Sequence, residues 1–168
     1  MSTSGEEKLD TAQFDAFVEG LDYPMYVVTA AADGERSGCL VGFATQASID
    51  PPRMLVCLSV VNHTYAVARR ASLLAVHVLD PEQQELADLF GSETGDEVDK
   101  FDRCRWQPGP DGVPLLEDCS RCFVGRVLSR HDLGDHVGFL LEPLAVQGGD
   151  ADAITLDDVK DIEPGHPA

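Results

Sequence analysis

The sequence predicts a mainly β protein, a barrel of strands with a few short helices packed outside it. Three observations predict this class. Six apolar runs of strand length recur, at residues 25–31, 37–50, 54–61, 73–79, 121–131 and 136–146. Turn chemistry separates several of them, with Asp33-Gly34, Asp50-Pro51-Pro52 and Leu133-Gly134-Asp135 at the joints. Helical periodicity is confined to a few short stretches. No strand opens into a helix through G-x-G-x-x-G and no G-x-x-x-x-G-K-[ST] run occurs, which argues against a Rossmann domain or a P-loop.

Taken in order, residues 1–9 read as a disordered N-terminus. Phe14, Phe17, Val18 and Leu21 recur at helical spacing, with Asp10 or Thr11 as the cap. The first strand follows, and Asp33-Gly34 turns the chain into the second. Residues 54–61 lack polar alternation and read as a strand buried on both faces. Asn62 then caps a short helix, and 73–79 forms the next strand. Asp80-Pro81-Glu82-Gln83 has the chemistry of a helix start, with Leu86, Leu89 and Phe90 as its buried stripe. Residues 91–116 form a long, charged loop rich in glycine and proline, of the kind that is functional or disordered. Two strands joined at Leu133-Gly134-Asp135 complete the domain, 10–146. An acidic tail, 147–168, carries one weak helical segment near 156–162.

At 168 residues one domain is expected. Thirty acidic against 12 basic residues give a net charge of −18. Such a surface repels nucleic-acid phosphates and anionic membranes, so neither is expected as a partner. No apolar run reaches the length of a membrane span. The N-terminus lacks a basic region followed by an apolar core. Five cysteines, an odd number at irregular spacing, fit a reduced, cytoplasmic protein.

The segment from Ser37 to Pro52 carries the chemistry. Gly42, Ala44, Ala47 and Ser48 are small where a buried strand would carry bulk, leaving room for a flat ring against the backbone. Close sheet packing would leave the same trace. Asn62-His63-Thr64 reads as a helix start, where free N–H groups favour an anion. Together they suggest a phosphorylated aromatic cofactor.

Tyr23-Pro24-Met25-Tyr26-Val27-Val28-Thr29, the segment from Gly38 to Ser48-Ile49-Asp50-Pro51-Pro52, Asp99-Lys100-Phe101 and Gly134-Asp135-His136 occur in this order. Together they resemble the flavin reductase-like, FMN-binding split-barrel proteins, over roughly residues 14–146. The resemblance implies a six-stranded split barrel, a homodimer, and a flavin (FMN, or FAD) reduced by NADH or NADPH. It implies a role as the reductase component that passes reduced flavin to a separate oxygenase, or alternatively a flavin-binding electron carrier without its own NAD(P)H activity. The family's flavin-contacting positions fall on Gly42, Phe43, Ala44, Thr45, Gln46 and Ser48, then on His63 and Thr64, on Ser92, and on Lys100 and Phe101. His136 falls where members place a histidine facing the nicotinamide, the expected catalytic position. Leu40, Gly42 and Phe43 replace the hydroxyl and amide side chains common in the first segment, so the polar edge of the flavin depends more on backbone donors.

Other groups have plainer readings. Cys119-x-x-Cys122 lacks the second pair that a structural zinc site needs, so no metal is expected. Cys39 and Cys57 read as small core residues. His77, inside an apolar strand, reads as a satisfied core histidine. Lys100, among Asp96, Glu97, Asp99 and Asp102, also fits a solvated salt-bridge cluster. Trp106 fits either a cover for the flavin pocket or an anchor for its loop. A third ligand class, haem, has no marked axial ligand, and no hydrolase motif is present.

Overall fold

Turn residues divide the chain where the backbone must reverse. Gly34 adopts φ +80 beside Asp33 at φ 54, and Gly134 adopts φ +138, conformations that favour glycine or aspartate. The computed structural model describes residues 8–92, 99–149 and 152–165. The expected salt-bridge partners Asp96 and Glu97, and most of the N-terminus expected to be disordered, lie outside the described residues.

Helix α1 spans Thr11–Glu19, and strands β1 to β4 follow at Tyr26–Ala32, Glu35–Val41, Ala44–Ser48 and Arg53–Ser59. Helix α2 (His63–Ala68), strand β5 (Leu73–Val78) and helix α3 (Gln84–Ser92) come next. A short hairpin, β6 (Trp106–Pro108) and β7 (Pro114–Leu116), precedes the long strands β8 (Arg121–Asp132) and β9 (His136–Gln147) and helix α4 (Leu156–Val159). All six expected strands are present. The second is broken in two, β2 and β3, by Gly42-Phe43.

That break explains the architecture. Seven strands form one antiparallel sheet in the order β2-β1-β5-β8-β9-β4-β3. Its two edges, β2 and β3, are consecutive in sequence. From Val41 to Ala44 the chain can span only about 11 Å, so the sheet must curl until its edges meet at the Gly42-Phe43 corner. The result is an open barrel. Bulges between Gln46 and Ser48 and at two places between β8 and β9 accommodate the curvature.

The inside holds Val28, Val41, Val56, Leu58, Val76, Phe139 and Leu141, with α2 adding Val67 and Ala68 at one end. A second cluster lies outside β1 and β2, where α3, β7 and the C-terminal segment bring Phe90, Leu116 and Ile154 against Val27. Within the acidic C-terminal segment, Ile154 is buried and its amide and carbonyl bond to Leu79 and Met25.

Two local expectations are revised. Helix α3 starts at Gln84, not at Asp80: residues 80–83 close a separate turn, with Gln83 N–H donating to the Asp80 carbonyl at 2.9 Å, and the Asp80 carboxylate accepts from Ser120 rather than from the helix N–H groups. Helix α1 is capped by Asp10 as expected, yet it buries none of its residues; Phe14 and Phe17 are 54% and 70% exposed.

Candidate active site on the outer face of β3, β4 and β9

Strand parity sorts the predicted site residues. In β4 and β9, Val56 and Leu58 face inward with Val137 and Phe139. Their neighbours Cys57, Ser59, His136 and Gly138 therefore face outward. Ser59 pairs with His136 and Cys57 with Gly138. Thr45 pairs with Leu55 on the same outer face, and the Phe43 carbonyl accepts the Cys57 N–H at 2.8 Å. Ala44 packs inward against the barrel core.

Phe43 and His136 meet on this face with ring centroids 5.0 Å apart, and Tyr23 lies 6.5 Å beyond Phe43. Phe43 is 53% exposed. His136 Nδ1 donates to Asp135 Oδ1 at 2.7 Å. In the neutral ring this fixes the proton on Nδ1 and leaves the Nε2 lone pair available. The hydrogen bond from His136, and then its charge, hold the Asp135 carboxyl below the ordinary carboxylate range. Beside His136, Ser59 Oγ is buried without a hydrogen-bond partner. A buried hydroxyl without a partner costs stability, and a ligand's polar edge would relieve that cost. An open groove of about 520 Å³ runs over Gln46, Ala47, Ser48, Ile49 and Asp50. β3 is an edge strand, so alternate backbone groups along it have no ladder partner and can serve a ligand.

The space expected above Gly42 is filled from within the chain. A β-carbon there would lie 2.6 Å from the Tyr23 ring and 3.0 Å from the Met25 sulfur. The glycine admits these side chains, so Gly42 contributes the corner rather than an open platform.

The helix start at Asn62 is confirmed, with Thr64 N–H donating to Asn62 Oδ1 at 2.9 Å. Thr64 is buried and its hydroxyl lies 2.9 Å from Ser37 Oγ. The same Ser37 oxygen is 2.9 Å from His63 Nδ1, while His63 Nε2 lies 3.9 Å from Glu35. Thr64 is thus occupied internally, and the partly exposed His63 ring is the group left at this end. His63 is four residues, at most about 14 Å of chain, beyond Ser59.

Ser92, Lys100 and Phe101 are not gathered with Phe43 and His136. Ser92 Oγ bonds back to the Asp88 carbonyl. Lys100 is buried and its Nζ donates to the carbonyls of Gly38 and Phe90, each at 3.1 Å, clamping α3 to β2. Phe101 packs between Phe90 and Trp106. Trp106 also faces the Arg36 guanidinium at 4.7 Å, which makes it an anchor for its loop.

Sequence reasoning missed Ser59 and Tyr23. Ser59 had a readable signal, a hydroxyl closing an apolar strand three residues before the Asn62 cap. Tyr23 reaches the site only through the Gly42 corner.

Among the described residues no group of three or more His, Cys, Asp or Glu could hold a metal ion, and no helix is long and apolar enough to cross a membrane. Burial pushes the Cys104 thiol up to about 11 and the Cys119 thiol to about 12, so both stay protonated.

With this geometry in place, known proteins supply the family. The sequence matches the flavin reductase like domain over residues 18–159. The chain belongs to the flavin reductase-like domain family. It is 28% identical over 154 residues to FMN reductase (NADH) RutF of Methylorubrum extorquens, covering 91% of this chain and 75% of that one. It is 27% identical to the ferric-chelate reductase (NAD(P)H) of Archaeoglobus fulgidus, covering 86% and 88%. In structure it resembles the flavin reductase domain protein of Arthrobacter sp. FB24, with a TM-score of 0.79 at 21% identity over 87% of this chain and 90% of that one. That likeness shows the split-barrel fold.

Proposed function

We propose that this protein is an NAD(P)H-dependent flavin reductase that works on the outer face of β3, β4 and β9. One observation carries the reading within a family of this kind. The Phe43–His136 pair stands beside the unbonded Ser59 hydroxyl, which pairs with His136 across β4 and β9, and β3 carries a separate open groove over Gln46 to Asp50. An aromatic wall, a polar orphan and an edge strand's free backbone groups fit a planar ring with a polar rim.

FMN or FAD bound here would supply the hydride acceptor for a reduced nicotinamide. Phe43 gives the ring an apolar wall and excludes water from one side. The β3 backbone near Thr45 and Gln46 offers N–H groups toward negative charge gathering on the reduced ring. Ser59 Oγ donates to a ring-edge acceptor. His136, fixed by Asp135, holds the nicotinamide or the ring edge at stacking distance through Nε2, where small misplacement costs much of the rate. His63 meets the phosphate end, with Ser37 and Thr64 holding it in place.

The site is shallow, with Ile49 84% exposed. An open groove of this kind suits a flavin that enters, is reduced and leaves for a separate oxygenase. It also leaves Phe43 and the apolar stripe of α1 uncovered, which supports a homodimer in which a second copy walls the site.

Oxidation of NADH and of NADPH by the purified protein, with and without added FMN or FAD, tests the reading. Turnover that saturates with free flavin is expected. A yellow protein inert to both nicotinamides would overturn it in favour of an electron carrier.

A further inference from the structure

The barrel has two ends, and among the described residues a helix plugs one of them. At the Ala30–Ser37 end, α2 inserts Thr64, Val67 and Ala68. At the other end the inward rows of the sheet can be read from its register. Val28, Val76, Phe123 and Val146 form one row across β1, β5, β8 and β9. One step nearer the rim, Tyr26, Val78 and Arg121 form the next row. Tyr26, Val76, Val78, Arg121, Phe123 and Val146 of these rows line a cavity of about 190 Å³. It shares no residue with the groove over β3 or with the Phe43–His136 pair. Ten residues of β9, roughly 30 Å of strand, separate His136 from Val146.

The walls are apolar and the rim carries one cation. Arg121 Nη2 donates to the Asp152 carbonyl at 3.0 Å, which fixes one side of the guanidinium. Its Nε is buried and has no hydrogen-bond partner. The close crossing of Gly148 holds this arrangement, since a β-carbon there would lie 2.6 Å from Arg121 Cγ and 2.3 Å from the Ser120 carbonyl. Burial raises the Tyr26 phenol pKa, while the Arg121 charge lowers it in part. A buried guanidinium N–H without an acceptor is costly, and an anionic oxygen is its best partner.

We propose that this barrel mouth is a second ligand site, separate from the flavin site, for a small monocarboxylate with a compact apolar body. The carboxylate oxygen accepts from the Arg121 guanidinium, which lines the cavity, and the hydrocarbon body lies on Val76, Val78 and Phe123. The volume suits a single six-membered ring or a branched chain of similar bulk. Apolar burial supplies affinity and the single cation supplies orientation, the usual division in small-molecule pockets.

Benzoate is a direct probe, followed by calorimetric titration into the full chain kept saturated with FMN. Binding is expected, at least tenfold weaker for benzyl alcohol, which has the ring without the charge. Arg121→Met should weaken benzoate by a similar factor and leave benzyl alcohol nearly unchanged. Because benzyl alcohol is tested on the unaltered protein, the outcome does not depend on the variant folding. No benzoate binding at millimolar concentration, equal binding of the charged and neutral probes, or displacement of benzoate by FMN would each overturn the proposal.

Discussion

His77 lies in the middle of β5 and His136 opens β9, and the two rings meet different surroundings in the same sheet. His77 is fully buried and both its nitrogens are used by the backbone. Nδ1 donates to the Val27 carbonyl at 3.0 Å, and Nε2 accepts the Leu116 N–H at 3.1 Å. It ties β5 to β1 and to the β6–β7 hairpin. Among the described residues the His136 ring bonds to its own neighbour Asp135, lies against a half-exposed phenylalanine and sits beside an unbonded hydroxyl. Satisfied polar groups hold a fold; unsatisfied ones gathered on one face are available for a ligand. Lys100 repeats the first pattern, and Ser59 repeats the second.

This contrast can be broken from either side. The largest effect belongs to His77→Leu, which strands one carbonyl and one N–H in the interior. It should cost about 4 kcal/mol, read as a lower urea midpoint. The pH dependence comes next. Burial holds the His77 pKa down to about 4, against an ordinary 6.5, and the hydrogen bond to Val27 offsets only part of that. The unfolded chain takes up a proton that the folded chain refuses, so this stability is complete above pH 6.5 and is lost as pH falls toward 4. The loss amounts to about 3 kcal/mol. Denaturation midpoints across that range should show it in the parent and lack it in His77→Leu.

Gly42→Ala should cost about 2 kcal/mol through overpacking against Tyr23 and should weaken flavin binding by moving Phe43. An unchanged flavin Kd would separate the corner from the site. The smallest expected effect is at His63. His63→Ala should weaken FMN a few-fold more than phosphate-free riboflavin, and equal losses would place the phosphate elsewhere.

The strands were legible because apolar runs and turn residues are local signals, and so were the caps at Asp10 and Asn62. What the sequence hid was non-local. Gly42 looked like open space, yet Tyr23 and Met25, brought alongside by the curl of the sheet, fill it. Lys100 looked solvated among acids, while its ammonium reaches two carbonyls on β2 and α3. Thr64 looked like a phosphate donor, but Ser37, 27 residues earlier, claims its hydroxyl. The expected stripe of α1 has the right periodicity and no surface to bury it. Of the residues expected in the candidate site, Phe43, Thr45 and His136 share the outer face. Ser92, Lys100 and Phe101 lie elsewhere: Ser92 bonds back into α3, Lys100 joins β2 to α3, and Phe101 packs in the second cluster.

The most direct test is anaerobic single-turnover reduction of FMN by NADH, measured by stopped flow for the parent and for His136→Ala. Reduction at least tenfold slower in the variant, about 1.4 kcal/mol, is expected, with the flavin Kd and the urea midpoint nearly unmoved. Reduction at the parent rate would make His136 a turn residue and contradict the placement of hydride transfer on this face.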